Sequence, residues 1–369
     1  MNSWGHPKIM IVKFSKNKAL IRLYKYYLTY IAAPVNRLRR CSPDAKTLFI
    51  AKFDGLGDFF LLLPFLKRLH DAGYRITVSG ASFQKEILEH CGLAVASVPF
   101  AADSLFALRS TLAMVRKVRP EYAVNLSMSA WGGVLVNQTR APEMVGLLQE
   151  REWYVYKGAR LFYDRIVSYD PSLHGFEVNR RFFSAMLSLD SLAAVEHCID
   201  VPAQGGEEVA VHPFGNIKWP LRRWSGFGEL LSRLIRAGYR CAIIGTPAEH
   251  ASSDLAARFE KAPGCRIVRL TSVTDLLVEI EGCRAFIGND SGPAHYAALI
   301  GRPTFVLWGP ANYERIRQVG RNVYIFKKEI PCRPCRQRGG SCPDGVNKCL
   351  QMIGAEEVME KFRERVAPA

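Results

Sequence analysis

The stretch TLFIAKFDGLGDFFLLLPFLKRL, residues 47–69, decides how the chain is read. Its first six residues form an apolar run of strand length, too short for a core helix. From Asp58 to Asp71 apolar residues recur with helical spacing. Between the two runs, FDGLGD at 53–58 sets Asp54 and Asp58 around Gly55 and Gly57. Glycine lets a chain turn sharply and approach a ligand closely. A buried strand, a glycine turn and an amphipathic helix make one βα unit of a parallel sheet.

The unit repeats outward from there. RITVSG (75–80) reads as a strand and 82–91 as a helix; LAVASVPF (93–100) and EYAVNLS (121–127) are strands around a helix at 104–118. Residues 141–175 are less regular and rich in Tyr and Arg, and a helix is expected over 176–190. DVPAQGGEE (200–208), with Pro, two glycines and acids, has the composition of a linker. Strands at 209–214, 239–245, 265–270, 285–290 and 303–309 then alternate with helices at 226–238, 248–261, 273–283 and 291–300. A charged amphipathic helix closes the chain at 355–366. The pattern predicts two doubly wound α/β domains, 47–203 and 204–352, preceded by a segment 1–46 and followed by 353–369. The 369 residues agree, at roughly 150 residues per domain.

Charge is unevenly spread. The chain holds 50 Lys and Arg against 34 Asp and Glu, a net +16. Residues 1–46 hold ten basic residues and one acid, Asp44, so this segment alone carries 10 − 1 = +9. Within LIRLYKYYLTYIAAPVNRLRR (20–40) the apolar run, interrupted by Arg22 and Lys25 and followed by Pro34, is too short and too charged to cross a bilayer, which takes about 20 mostly apolar residues. It also lacks the small-residue cleavage site of a secretory signal. Such a segment either lies on an anionic membrane or packs on the protein's own surface. A polyanionic partner is expected, but no nucleic-acid motif accompanies the charge, and nucleic acid is excluded as the partner.

Four turns carry chemistry. Asp58 falls where a helix begins, so it is either an N-cap or a carboxylate placed to take a proton from a substrate hydroxyl. Asp54 reads as a turn residue. HPFGNIKWPLRRW (212–224) sets Lys218, Arg222 and Arg223 just before a helix, as an anion site or as a basic loop backed by Trp219 and Trp224. In GTPAEH (245–250), Glu249 is a first-turn acid favoured by the helix dipole or a ligand for ribose hydroxyls. GNDSGPAH (288–295) supplies cap-competent Asp290 and Ser291 and a Pro for the first turn. It also leaves an open N–H array at Ser291 and Gly292 beside His295, suited to a diphosphate. No G-x-G-x-x-G occurs at the first turn, so a dinucleotide fingerprint is not supported.

Six of the ten cysteines are scattered in apolar settings, as expected of reduced thiols. Cys332, Cys335, Cys342 and Cys349 are clustered as C-x2-C-x6-C-x6-C, a spacing that allows a structural zinc. With no secretion signal visible, the expected compartment is the cytoplasm.

These turns, in this order, resemble glycosyltransferase family 9, the bacterial lipopolysaccharide heptosyltransferases. LGDFFLLLPFLKRL (56–69), HPFGNIKWPLRRW, AIIGTPAEH and FIGNDSGPAHYAALIGRPTFVLWGP are each similar to a segment of that family, as are HGFEVNRRFFSAMLSLD (174–190) and the cysteine tail. The resemblance runs from about residue 47 to residue 366, nearly everything outside the basic N-terminus. It implies a GT-B fold, two Rossmann-like domains facing a central cleft, with the last helix packing back towards the N-terminal domain. It implies inverting transfer of heptose from ADP-heptose to the lipopolysaccharide inner core; no Asp-x-Asp motif stands at a strand end, so no metal cofactor is expected for catalysis. Asp58 matches the family's catalytic Asp, Lys218 its phosphate-facing Lys and Glu249 its ribose acid; Asp290, Ser291, Gly292 and His295 match its diphosphate and donor-sugar turn. Leu62 stands where the family often has Thr, and Gly215, Asn216 and Ile217 replace hydroxyl residues found before the Lys in some members. Two rival functions follow: transfer of another sugar such as N-acetylglucosamine, or non-catalytic binding of lipopolysaccharide or anionic lipid. The expected place of action is the cytoplasmic face of the inner membrane, peripherally bound.

Overall fold

In the computed structural model the described residues are 18–127, 129–149, 159–187, 192, 195, 196, 199, 201, 206–215, 220–335, 342 and 347–367. The chain divides into two compact units between Val195 and Glu196, a little before the Pro- and Gly-containing stretch at 200–208.

The first domain is built on a six-stranded parallel sheet: β1 (Thr47–Lys52), β2 (Arg75–Gly80), β3 (Ala96–Pro99), β4 (Tyr122–Asn125), β5 (Glu143–Gln149) and β6 (Arg165–Tyr169), in the order β3-β2-β1-β4-β5-β6. β1 is buried at every residue because it lies inside the sheet, with helices available to cover both faces. β5 and β6 come from the stretch read as irregular. β6 is the edge strand of the sheet, half-buried and exposed residues alternating along it with none fully buried, so it carries no buried apolar run. The helix expected over 58–71 is two helices, Leu56–Phe60 and Leu63–Asp71, parted just before Pro64. Proline has no N–H to continue the first helix and suits the first turn of the second.

The helix Ala130–Thr139, which the sequence reading left unassigned, is buried along its whole length apart from its first residue. Its outer side is covered by the N-terminal segment: helix Lys18–Tyr27, one π-helical turn Leu28–Ala32 and helix Ala33–Leu38. Ile21, Leu28 and Ala33 join its core. Asn36 Nδ2 donates to Asn137 Oδ1 at 3.0 Å, Asn137 Nδ2 to the Ala33 carbonyl at 3.1 Å, and Lys25 Nζ lies 5.0 Å from the Trp131 ring centre. One face of the basic segment thus packs on its own domain.

The second domain repeats the plan: β7 (Glu208–His212), β8 (Arg240–Gly245), β9 (Cys265–Arg269), β10 (Ala285–Asn289), β11 (Thr304–Leu307) and β12 (Val323–Phe326), in the order β12-β11-β10-β7-β8-β9, all parallel. The closing helix Ala355–Arg365 puts Val358, Met359 and Phe362 into this domain's core, where the Phe362 ring lies 5.0 Å from both Tyr239 and Phe305. Its apolar face is therefore taken up by the second domain's core.

Candidate active site

In an open parallel sheet the strands diverge where the order reverses, and ligands bind beyond the carboxyl ends there. The reversal falls between β1 and β4 in the first domain and between β7 and β10 in the second. The expected site residues that the structure describes lie on turns beyond carboxyl ends, at or beside these points.

At the first point, Lys52 ends the apolar strand β1 with its ammonium only 8% exposed. Its Nζ lies 2.7 Å from Asp54 Oδ2, and Ser127, just past β4, donates its hydroxyl to the same oxygen at 2.6 Å. The Phe53 N–H in turn donates to Ser127 Oγ at 2.7 Å. Burial alone would lower the Lys52 pKa, but the charges of Asp54 and then Asp58 outweigh it and hold the pKa above its usual value. Burial alone would raise Asp54, but the Lys52 charge and the hydrogen bonds from Lys52 and Ser127 bring it below the usual carboxylate range. Asp54 is thus an ion-pair partner as well as a turn residue. Asp58 is not the N-cap: Gly55 occupies that position, and Asp58 sits exposed in the first turn of helix Leu56–Phe60, within the field of Lys52. Close packing beneath needs a glycine. A Cβ on Gly132 would stand 2.2 Å from Asn125 Oδ1, at the end of β4, and Asn125 Nδ2 donates to the Ser129 carbonyl and to Tyr163 Oη.

At the second point, Asn289 ends β10 fully buried and ties two turns together. Its Oδ1 accepts from the Trp224 N–H at 2.9 Å, and its Nδ2 donates to the Pro213 and Phe214 carbonyls at 2.9 and 3.1 Å. Asn347 Nδ2 donates to the Leu221 and Arg223 carbonyls, so the described ends of the 213–224 loop are pinned from both sides. Lys218 and Trp219 lie outside the described residues. Asp290, buried, accepts from Gln318 Nε2 at 3.3 Å and faces Arg222 at 3.8 Å. Ser291 takes the N-cap position of helix Gly292–Leu299 but makes no side-chain cap bond. Its Oγ is buried without a hydrogen-bond partner among the described residues. His295 is buried in the first turn.

Glu249 is a first-turn acid, as the first of its two readings has it. With Thr246 it forms a reciprocal capping box on helix Pro247–His250, its Oε2 accepting from the Thr246 N–H at 2.9 Å. Its Oε1 lies 3.6 Å from His212 Nε2, an ion-pair distance, which joins the ends of β7 and β8. Burial alone would raise this carboxyl; His212 and Thr246 together bring it down to about 2.

Lys52, Ser127, His212 and Asn289 were missed by sequence reasoning. The one usable signal was Lys52, a charge closing an otherwise buried strand. Of the clustered cysteines Cys332 is exposed and Cys349 buried, and among the described residues no three His, Cys, Asp or Glu are placed to hold a metal ion. Cys198 lies outside the described residues, while the buried thiols of Cys241 and Cys283 are each pushed up to about 12 by burial.

The profile of "Glycosyltransferase family 9 (heptosyltransferase)" matches residues 116–344. The chain belongs to glycosyltransferase family 9. Among curated proteins it is similar to lipopolysaccharide heptosyltransferase 2 of Salmonella typhimurium, 31% identical over 149 residues, which are 39% of this chain and 42% of that protein. It is similar to the Escherichia coli K12 protein of the same name at 26% identity over the same length and shares. The matched part thus spans about two-fifths of these relatives. Among solved structures, a family 9 glycosyl transferase from Veillonella parvula aligns with TM-score 0.70 at 17% identity, covering 88% of this chain and 98% of that one. E. coli heptosyltransferase WaaC with ADP aligns with TM-score 0.67 at 18% identity, covering 87% of this chain and all of that one. At those identities the likeness speaks for the fold, the GT-B type of two Rossmann-like doubly wound domains.

Proposed function

We propose that this family 9 member transfers a heptose from ADP-heptose to the inner core of lipopolysaccharide, with inversion at the anomeric carbon and without a metal. One observation carries the reading. The two sheets have the same strand order, yet their reversal points hold opposite chemistry: an exposed acid in the first domain, and a pinned basic loop with an unpartnered hydroxyl at a helix start in the second. Asp58 takes the proton of the acceptor hydroxyl as that oxygen bonds to the anomeric carbon. The bond from that carbon to the diphosphate breaks, and ADP leaves with the electron pair. Lys218, the Ser291 hydroxyl and the N–H groups at 291–292 stabilise the charge developing on the phosphates. Glu249 and His212 hold the ribose side of the nucleotide. In this reading the protein works peripherally on the cytoplasmic side of the inner membrane. A structural zinc on Cys332, Cys335, Cys342 and Cys349 has no part in the reaction, and elemental analysis of the purified chain tests for it.

The test is Asp58→Asn, assayed with ADP-heptose and a core acceptor. Turnover is expected to disappear while calorimetry still records ADP binding; unchanged turnover refutes the assignment. Anomeric configuration by NMR tests inversion, and loss of transfer in EDTA would overturn metal independence. A panel of ADP- and UDP-sugars decides between heptose and N-acetylglucosamine. Binding of lipopolysaccharide with no transfer from any donor would instead establish the non-catalytic reading.

A further inference from the structure

The N-terminal helical segment has two apolar faces. One is buried on helix Ala130–Thr139, as described above. The other faces outward. Seven of the twelve exposed large apolar side chains among the described residues fall between Leu23 and Leu38, so this is a patch and not the usual scatter. Leu23, Tyr27, Ile31, Val35 and Leu38 follow one another at four- and three-residue spacings, with Tyr26 and Tyr30 four apart beside them, the outward stripe of a helix, with Leu23 65% and Leu38 87% exposed. A soluble helix ordinarily turns charge outward from its buried face. Here the outward face is apolar and aromatic, with exposed Arg22 and Arg39 at either end of it.

We propose that this face is a membrane-docking surface, lying in the headgroup region of an anionic bilayer with the helix axis along the surface. The sign of the charge selects the occupant. No acidic residue occurs in the first 43 positions, so a second copy seated on this face would set cation against cation, whereas anionic headgroups complement it. Tyrosines suit the level where acyl chains meet headgroups. Among the described residues no helix is long and apolar enough to cross a membrane, which fits a helix that lies on the surface. Anchorage on the docked side holds the outward stripe in place: Arg40 Nη1 donates to the Ala141 carbonyl at 2.7 Å and its Nη2 pairs with Asp164 at 2.6 Å. The proposal rests on the peripheral placement given above and is independent of which sugar is transferred.

The test uses the full chain, without donor or acceptor, floated with vesicles of equal parts phosphatidylglycerol and phosphatidylcholine or of phosphatidylcholine alone. Binding is expected only to the anionic vesicles and is expected to weaken with salt. The triple variant Leu23→Ser, Tyr30→Ser, Leu38→Ser touches exposed positions only, so its melting temperature stays near that of the parent while binding falls on the order of tenfold or more. The pair Arg22→Glu, Arg39→Glu is expected to weaken binding to a similar degree. A Trp placed by Tyr30→Trp is expected to be quenched by lipids brominated on their acyl chains. Transfer to a water-soluble acceptor should be unchanged in the triple variant, which separates this surface from the catalytic reading. Equal vesicle binding by parent and triple variant overturns the proposal. So does a parent that ignores vesicles but forms a dimer that the triple variant breaks.

Discussion

Replacing Asp54 by Asn is expected to destabilise the first domain more than replacing Lys52 by Met, although both break the same ion pair. The asymmetry follows from exposure. Asp54→Asn leaves the Lys52 ammonium, 8% exposed, without the carboxylate 2.7 Å away. Stranding a buried charge costs about 3–5 kcal/mol. Asp58 still favours the ammonium, which sets the loss at the lower end, about 3 kcal/mol. Lys52→Met leaves the carboxylate, whose side chain is 37% exposed and still accepts from Ser127. That loss is closer to one charge-assisted hydrogen bond, about 1.5 kcal/mol. The double variant K52M/D54N strands neither charge, so its loss should fall well short of the sum, with a coupling of about 2 kcal/mol. Hydrogen exchange of the β1 peptide under native conditions reads unfolding of this domain whatever the other does. Strict additivity, or a larger loss for Lys52→Met, would refute the account.

Asn289→Ala strands the Trp224 N–H and two carbonyls in a buried setting, so the second domain should lose about 2–4 kcal/mol and ADP affinity should fall with it; an unaltered melting curve contradicts this. Glu249 titrates at about 2 in the folded chain against 4.5 in its reference state. Its folded pKa is depressed, so the stabilisation is complete above about pH 4.5 and is lost as pH falls towards 2, at most about 3 kcal/mol in all. Glu249→Gln should flatten the acid limb of second-domain stability over that window, as followed by exchange of the β7 and β8 peptides. Gly80→Ala would put a Cβ 1.8 Å from the Lys52 carbonyl and 2.6 Å from Gln84 Nε2, forcing β1 and β2 apart; a loss of about 3 kcal/mol or more is expected, and a soluble, fully protected β1 would count against it.

The sequence carried the repeating unit and the turns because both are local. Six apolar residues ended by FDGLGD can be placed without knowing their neighbours, and so can Pro293 and Ser291 at the start of a helix. It carried less where burial is conferred from elsewhere. The helix Ala130–Thr139 shows no polar stripe because the segment 18–38 covers its outer side. β6 lacks a buried apolar run because its place at the edge of the sheet leaves every residue half-buried or exposed. The destination of the closing helix followed from Phe362 meeting Tyr239 and Phe305, which its own periodicity does not name.

Apolar periodicity by itself therefore determined that the chain forms two βα series, and the order of its turns pointed to a family. Tertiary structure alone decided which polar atoms meet. Ser127 reaches Asp54 across 73 residues, and Asn289 reaches Trp224 and Pro213 across 65 and 76. Local backbone preferences act over a few residues and are written into the sequence at each position. Contacts at a strand-order reversal depend on which strands become neighbours, and that is settled only when the whole sheet buries its apolar faces together.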